Sequence, residues 1–209
     1  MSLLEKLNWR YATKKFDDTK KIPADQLQLL LNTVRLAPSS FGLQHYKIIV
    51  VEDPEVRAKL QGAAYGQAQI VDASQIIVFA AETKIDEAYV QKYIDSIAAT
   101  RNIPVESLDG FKQYLTGAIS GMNDEQKLAW AHKQAYIALG VLVSAASELE
   151  IDTCPMEGFA ANQFDEILGL KEHGVTSSVI VTIGYRSGND ATSELAKVRR
   201  PANELFIHV

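Results

Sequence analysis

Three apolar, β-branched runs set between much longer helical stretches predict a mixed α/β chain built on a small sheet. The runs are Tyr46 to Val51, Ile76 to Ala81, and Val175 to Tyr185 with Val179 to Thr182 at its centre. A length of 209 residues, 47% hydrophobic and 22% charged, fits one compact core. With no repeat, low-complexity tract or linker in view, residues 1–209 are expected to form a single domain.

Residues 3–9 put Leu4 and Leu7 on one side of a short helix leading into Arg10, Tyr11, Ala12, Thr13, Lys14, Lys15 and Phe16. Pro23 to Asp25 opens a second helix, because proline suits a first turn. Leu27, Leu30, Leu31 and Val34 then recur at helical spacing until Pro38, which restricts Ala37, stops them. The loop Pro38, Ser39, Ser40, Phe41, Gly42, Leu43, Gln44 is rich in hydroxyls and backbone donors and suits either a ligand or an ordinary helix-to-strand turn. Asp53 and Pro54 cap a helix over 54–64. Tyr65 to Gln69 reads as a polar loop whose glutamines meet a ligand's amide edges or face water.

From Ile85 to Met122 the chain makes a helical excursion, with Tyr89, Tyr93, Ile94 and Ile97 on one face and Phe111, Leu115, Ala118 and Ile119 on a later stripe. It fits a lid over a pocket or plain core packing equally. Asn123 and Gln126 form a capping-box pattern at the start of the longest helix, which runs to about Glu150. Its middle, Ala135 to Ala146, is apolar almost all round and is expected to be buried on every side. It is too short for a bilayer, which takes ~20 apolar residues. Gly140 and Ser144, four apart, would let another backbone approach closely and hint at a homodimer. Residues 151–158 read as a loop, Phe159 to Leu168 as a short helix ending at Gly169, 186–193 as a solvated turn, and 204–209 as a strand-like end tied to something.

The net charge of -5 and a pI near 5.4 argue against a nucleic-acid or anionic-membrane partner, which need a broad positive field. The local basic clusters, Arg10 to Lys15 and Lys197, Arg199, Arg200, suit a small anion instead. A phosphomonoester carries roughly two negative charges, and each charge-assisted hydrogen bond to it is worth about 1.5 to 3 kcal/mol. Solvated chain-end cations are the competing explanation. Met1 to Trp9 lacks a signal-peptide pattern, and a lone Cys154 suits a reducing compartment, so a cytoplasmic location is expected. His45, His132, His173 and His208 show no ligand spacing, and no metal is expected. There is no Walker loop, G-x-G-x-x-G, nucleophile elbow or H-E-x-x-H, so an enzyme of this sequence would rely on a cofactor.

Taken in order, Arg10-Tyr-Ala-Thr-Lys14-Lys-Phe16, Ala37-Pro-Ser-Ser-Phe-Gly-Leu-Gln44, Asp72-Ala-Ser74, Lys133-Gln134, Pro155-Met-Glu-Gly158 and Lys197-Val-Arg199-Arg-Pro201 resemble the FMN-dependent nitroreductase family. They are particularly similar to its oxygen-insensitive NAD(P)H nitroreductase and dihydropteridine reductase branch. The resemblance implies an α+β fold with a central, mostly antiparallel sheet flanked by helices. It also implies an intertwined homodimer with two FMN sites, in which the C-terminal segment adds a strand to the partner's sheet. NAD(P)H would be the co-substrate, and nitroaromatics, quinones or similar electron-poor molecules the acceptors, in a ping-pong cycle. Pteridine reduction, reductive dehalogenation, or flavin binding without turnover are the alternatives on the same fold.

Residue by residue, the resemblance gives Arg10, Lys197 and Arg199 to the FMN phosphate and ribityl chain, Tyr11 and Ala12 to the cofactor lining, and Lys14 to the pyrimidine edge. Pro38, Ser39, Ser40 and Gly42 would lie over the flavin held mainly by the partner. Gln134 matches a cofactor ligand on the long helix. Pro155, Met156, Glu157 and Gly158 match the loop beside the isoalloxazine ring, with a backbone amide near Glu157 or Gly158 donating to N5. No side chain acts as a catalytic acid or base; Lys14 and Glu157 tune or position the ring. Gly42 and Gly66 stand where several relatives have asparagine, and Gln69 stands where one branch has a second lysine near the flavin, which implies a lower flavin potential here. Phe41, Phe111 and Tyr114 are candidates for the substrate side, with core packing the alternative for Phe111.

Overall fold

The computed structural model describes residues 2–209. Its frame is a four-stranded, wholly antiparallel sheet of β1 (Tyr46–Val51), β2 (Gln75–Glu82), β3 (Asp152–Met156) and β4 (Val175–Gly184), in the order β1-β2-β4-β3. Strand β2 is a continuous apolar run because helices cover both of its faces. Ile77 and Phe79 join Leu30, Val34, Leu142 and Val181 under α2 (Ala24–Arg35) and α7 (Asp124–Glu148). Ile76 and Val78, pointing the other way, join Leu60, Phe164 and Ile180 under α3 (Pro54–Ala63) and α8 (Ala161–Ile167).

Three strands fall where the β-branched runs are. The fourth corrects the expected loop over 151–158: Asp152 to Met156 is a strand, at the sheet edge, where Pro155 opposite Val181 is tolerated. The remaining helices are α1 (Leu3–Trp9), α4 (Gln69–Asp72), α5 (Glu87–Arg101), α6 (Asp109–Ser120) and α9 (Ala202–Leu205). None of the helices is long and apolar enough to cross a membrane, among the described residues.

Helix α7 begins with the expected reciprocal cap, Gln126 N–H to Asn123 Oδ1 at 2.8 Å and Asn123 N–H to Gln126 Oε1 at 2.9 Å. Within this chain the burial expected of its apolar middle is met on one side only. One side lies on the sheet, whereas Tyr136 and Ile137 are 40% and 43% exposed on the other. There a groove of about 420 Å³ runs past Leu3, Thr33, Ile137, Gly140 and Ser144, because nothing in the same chain covers it.

The excursion α5–α6 carries its own core, in which Val90, Ile94, Leu115 and Ile119 close around Leu43, Ala81 and Ala131, with Phe111 packed against them. Its inner stripe is thus core. At the C-terminus Ala202 to Leu205 is a helical turn, after which Phe206 and Ile207 are 59% and 88% exposed and, among the described residues, pair with no strand of this chain. Between α3 and β2, buried Arg57 donates to the carbonyls of Ile70, Val71, Ala73 and Ser74 at 2.9, 2.9, 2.5 and 3.1 Å. That clamp closes the C-terminal end of α4, whose carbonyls would otherwise lack donors.

Candidate functional site

The two basic clusters meet. Lys197 Nζ donates to the carbonyls of Leu7 at 2.5 Å and Asn8 at 3.1 Å, and also to that of Arg10, so it finishes the C-terminal end of α1 as a cationic cap. Arg10, Lys197 and Arg199 then line one pocket of about 310 Å³ with Asn8, Thr192 and Ser193. Burial lowers the pKa of Arg10, and Arg199 lowers it further. Lys197 is lowered by burial and then by Arg10 and Arg199. Among the described residues no carboxylate pairs with any of the three, and the buried Nε of Arg10 has no acceptor. Three mutually repelling cations with a spare buried donor are built for an anion.

The same segment is held from below by Asp190, which accepts from Lys14 N–H at 2.8 Å, Lys15 N–H at 3.1 Å and Tyr11 Oη at 2.9 Å. Burial alone would raise this carboxyl, but the donors of Thr192, Lys15, Lys14 and Tyr11 outweigh it and hold it well below the usual carboxylate range. Tyr11 is pushed up to about 12, by burial first and then by Asp190. Beside it the Arg186 guanidinium sits 4.3 Å from the Trp9 ring and 4.6 Å from the Tyr11 ring. Asp152 accepts its backbone N–H at 2.8 Å and its Nε at 2.9 Å. Residues 186–193 are therefore not the expected solvated turn. Asp190 is turned inward because the amides of Lys14 and Lys15 need an acceptor, and Arg186 is held by Asp152, whereas Gly188, Asn189 and Ala191 between and beside them stay exposed.

From the pocket the segment runs along β3. Ala12 bridges Thr153, Thr13 N–H donates to Thr153 O at 3.2 Å, and Lys14 Nζ lies 3.9 Å from Cys154 Sγ. Burial raises the Cys154 thiol, while Lys14, Gln69 and Arg10 oppose the rise, in that order. Lys14, Gln69 and Arg10 thus surround one point on the strand. Beyond it, Glu157 Oε1 accepts from Tyr136 Oη at 2.6 Å, and Gly158 O accepts from Gln67 Nε2 at 2.7 Å. Pinned on both sides, the loop leaves the N–H groups of Glu157 and Gly158 without a protein acceptor among the described residues.

The remaining expected residues form a second group. Ser40 N–H donates to Gln134 Oε1 at 2.8 Å, and Gln134 Nε2 donates to Trp130 O at 3.2 Å. Gln134 is 5% exposed, so within this chain its amide is spent on holding the loop. Phe41 meets Tyr114 edge-on, Gly42 has φ of +75°, and Phe111 is half-buried on the α5–α6 core. Among the described residues no hydrogen bond joins Pro38–Gly42 to Arg10–Lys14 or to Pro155–Gly158. Sequence reasoning missed Asp190, Arg186, Asp152 and Tyr136, none of which belongs to a motif and none of which any sequence signal singled out. Gln67, expected to meet a ligand's amide edges or face water, instead fastens Gly158.

The family model of the nitroreductase family matches residues 7–185. The chain is 36% identical over 195 residues to the Bacillus subtilis protein carried under the name "Putative NAD(P)H nitroreductase YfkO", covering 88% of each chain. It is 34% identical over 214 residues to the similarly named SH0546 of Staphylococcus haemolyticus, covering 98% of this chain and 96% of that one. The crystal structure of ydfN from Bacillus subtilis superposes with a TM-score of 0.88 at 24% identity, over 99% of this chain and 98% of that one. The FMN complex of a protein from Exiguobacterium sibiricum does so with a TM-score of 0.86 at 20% identity, over 100% and 98%. These two likenesses show a shared fold.

Proposed function

The chain belongs to the nitroreductase family, and from that premise we propose that it is an FMN-dependent oxidoreductase passing hydride from NAD(P)H to nitroaromatic, quinone or similar electron-poor acceptors in a ping-pong cycle. Bound FMN would supply the chemistry at N5; the protein's task is binding, orientation and field. The observation that carries the reading is the uncompensated trio of Arg10, Lys197 and Arg199 around a pocket with a spare buried donor. A phosphate dianion fits that set in charge, with the guanidiniums of Arg10 and Arg199 as its donors, since those of Lys197 already serve the end of α1.

The rest of the cradle fits the same group. Tyr11 and Ala12 would line the cofactor, and Lys14, lying along β3, would place a cation at the pyrimidine edge to stabilise negative charge on the reduced ring. The free N–H of Glu157 or Gly158 would serve as donor to N5, with Pro155 and Met156 fixing the approach and Tyr136 fixing Glu157. Gln69 would sit beside the ring as a neutral group. Pro38, Ser39, Ser40 and Gly42 make no hydrogen bond to this cradle within the chain, which favours their reaching the flavin held mainly by a partner. The open α7 groove and the exposed end from Leu205 to Ile207 likewise favour a homodimer, with the tail crossing to the partner. The lone, buried Cys154 is compatible with the reducing cytoplasm in which the protein would work.

The test is a visible spectrum of the purified protein, then anaerobic addition of NADH and NADPH separately. A yellow protein bleached by at least one nucleotide is expected. Colourless protein that takes up no FMN, or a bound flavin that neither nucleotide bleaches, would sink the proposal.

A further inference from the structure

Residues 41–44 are forced into an unusual path: φ is +57° at Phe41, +75° at Gly42 and +45° at Gln44. Two of these are not glycine, so something outside the loop must hold them there. The holder is α5. Tyr93 Oη donates to Phe41 O at 2.6 Å, and Tyr89 Oη lies 3.4 Å from the carbonyls of both Leu43 and Gln44. Gly42 is matched to this arrangement, because a Cβ there would collide with the Tyr93 hydroxyl.

The path decides where the Phe41 ring goes. It stands edge-on to Tyr114 at 6.0 Å and 78°, and edge-on to Trp130 at 6.1 Å and 80°. Behind Trp130 lies His45, fully buried, its ring 3.9 Å away. Tyr114 at the outer end is 65% exposed. A column of rings thus runs from the core to the surface, and the one main-chain carbonyl that sets its middle member is held by a single phenol.

We infer that Tyr93 is a positioning residue for acceptor choice: by holding the Phe41 carbonyl it presents Phe41, backed by Trp130, as a flat wall that favours planar aromatic acceptors. The inference rests on the flavin reading above and concerns only the acceptor side. Such acceptors gain from aromatic contact of fixed geometry, whereas an oxidant that needs no stacking gains nothing.

The test uses holoenzyme reduced with dithionite and mixed anaerobically with 4-nitrobenzoate or with ferricyanide, so that only reoxidation is followed. In Tyr93→Phe, which keeps the ring and removes one hydrogen bond, the second-order constant for 4-nitrobenzoate should fall about five-fold, the worth of one such bond. That for ferricyanide should be unchanged. Deuterium uptake by residues 39–44 should quicken in the same variant. Phe41→Leu should lose selectivity in the same way, and adding Tyr93→Phe to it should cause no further loss. Equal losses for both oxidants, unaltered exchange at 39–44, or additive losses in the double variant would each overturn the inference. A wild-type protein without bound flavin would overturn the reading beneath it, and is told apart by its lack of colour before any acceptor is added.

Discussion

His45 should make the protein acid-sensitive in a window that can be stated in advance. Its side chain is fully buried, neither ring nitrogen has a well-formed hydrogen bond, and burial, opposed only by the Trp130 backbone, pushes its pKa down to about 4 from an ordinary 6.5. The unfolded chain therefore binds a proton that the folded chain refuses. Stability from this site is present in full above about pH 6.5 and is lost as pH falls, until the folded pKa near 4 is reached. One proton corresponds to about 1.36 kcal/mol per pH unit. Over a window of roughly 2.5 units the loss approaches 3 kcal/mol, a large share of the 5 to 15 kcal/mol typical of a domain. The assay is the urea midpoint of holoenzyme at one protein concentration between pH 7.5 and 4.5, for wild type and His45→Phe. Phenylalanine keeps the stack on Trp130 and cannot titrate, so its profile should be flatter by up to one proton. His132 is also lowered by burial, but it remains in both proteins and cancels in the comparison. Parallel profiles would refute the argument, because the imidazole would then have found a partner or water when folded.

Two further outcomes test the cradle. Arg10→Ala should weaken FMN retention by about ten-fold to a hundred-fold, the worth of one charge-assisted hydrogen bond, measured by dialysis or fluorescence recovery; unchanged retention would return Arg10 to the status of a solvated cation. Gln69→Lys should raise the flavin midpoint potential by roughly 30 to 60 mV, from a unit charge near the ring at an effective dielectric of about 20. Gln69 is 8% exposed, so potentiometry showing no rise would mean that a lysine there is neutral or turned away.

The sheet was legible wherever burial on both faces wrote itself into a β-branched run, as in Ile76 to Ala81. It was illegible at Asp152 to Met156, because an edge strand needs neither alternation nor branching and can hold a proline. Arg10, Lys14, Lys197 and Arg199 were recognisable as local basic clusters on an acidic chain, and Pro155–Gly158 through its likeness to a family. What escaped was the scaffolding beneath them. Asp190 and Arg186 lie in a stretch whose composition reads as solvent-facing, and their importance comes from contacts across more than 170 residues, from Asp190 to Lys14 and Tyr11. The apolar middle of α7 was read correctly as apolar, but its composition did not say which side the chain's own sheet covers and which is left to the groove past Ile137 and Gly140. Tyr93 looked like one more residue on a helical stripe; its hydroxyl matters because of the glycine it faces at position 42.

The clamp made by Arg57 has a consequence for how the molecule would fail. All four of its acceptors are main-chain carbonyls, which have no titration in water, and the carboxyl of Asp190 stays ionised far into acid. The supports of Gln69 and Lys14 are therefore indifferent to mild acid, and the folded His45 imidazole behind Trp130 also stays neutral until its pKa near 4. What acid takes away through His45 is stability of the whole fold, so the cradle and the ring column would be lost together, at unfolding, rather than one before the other.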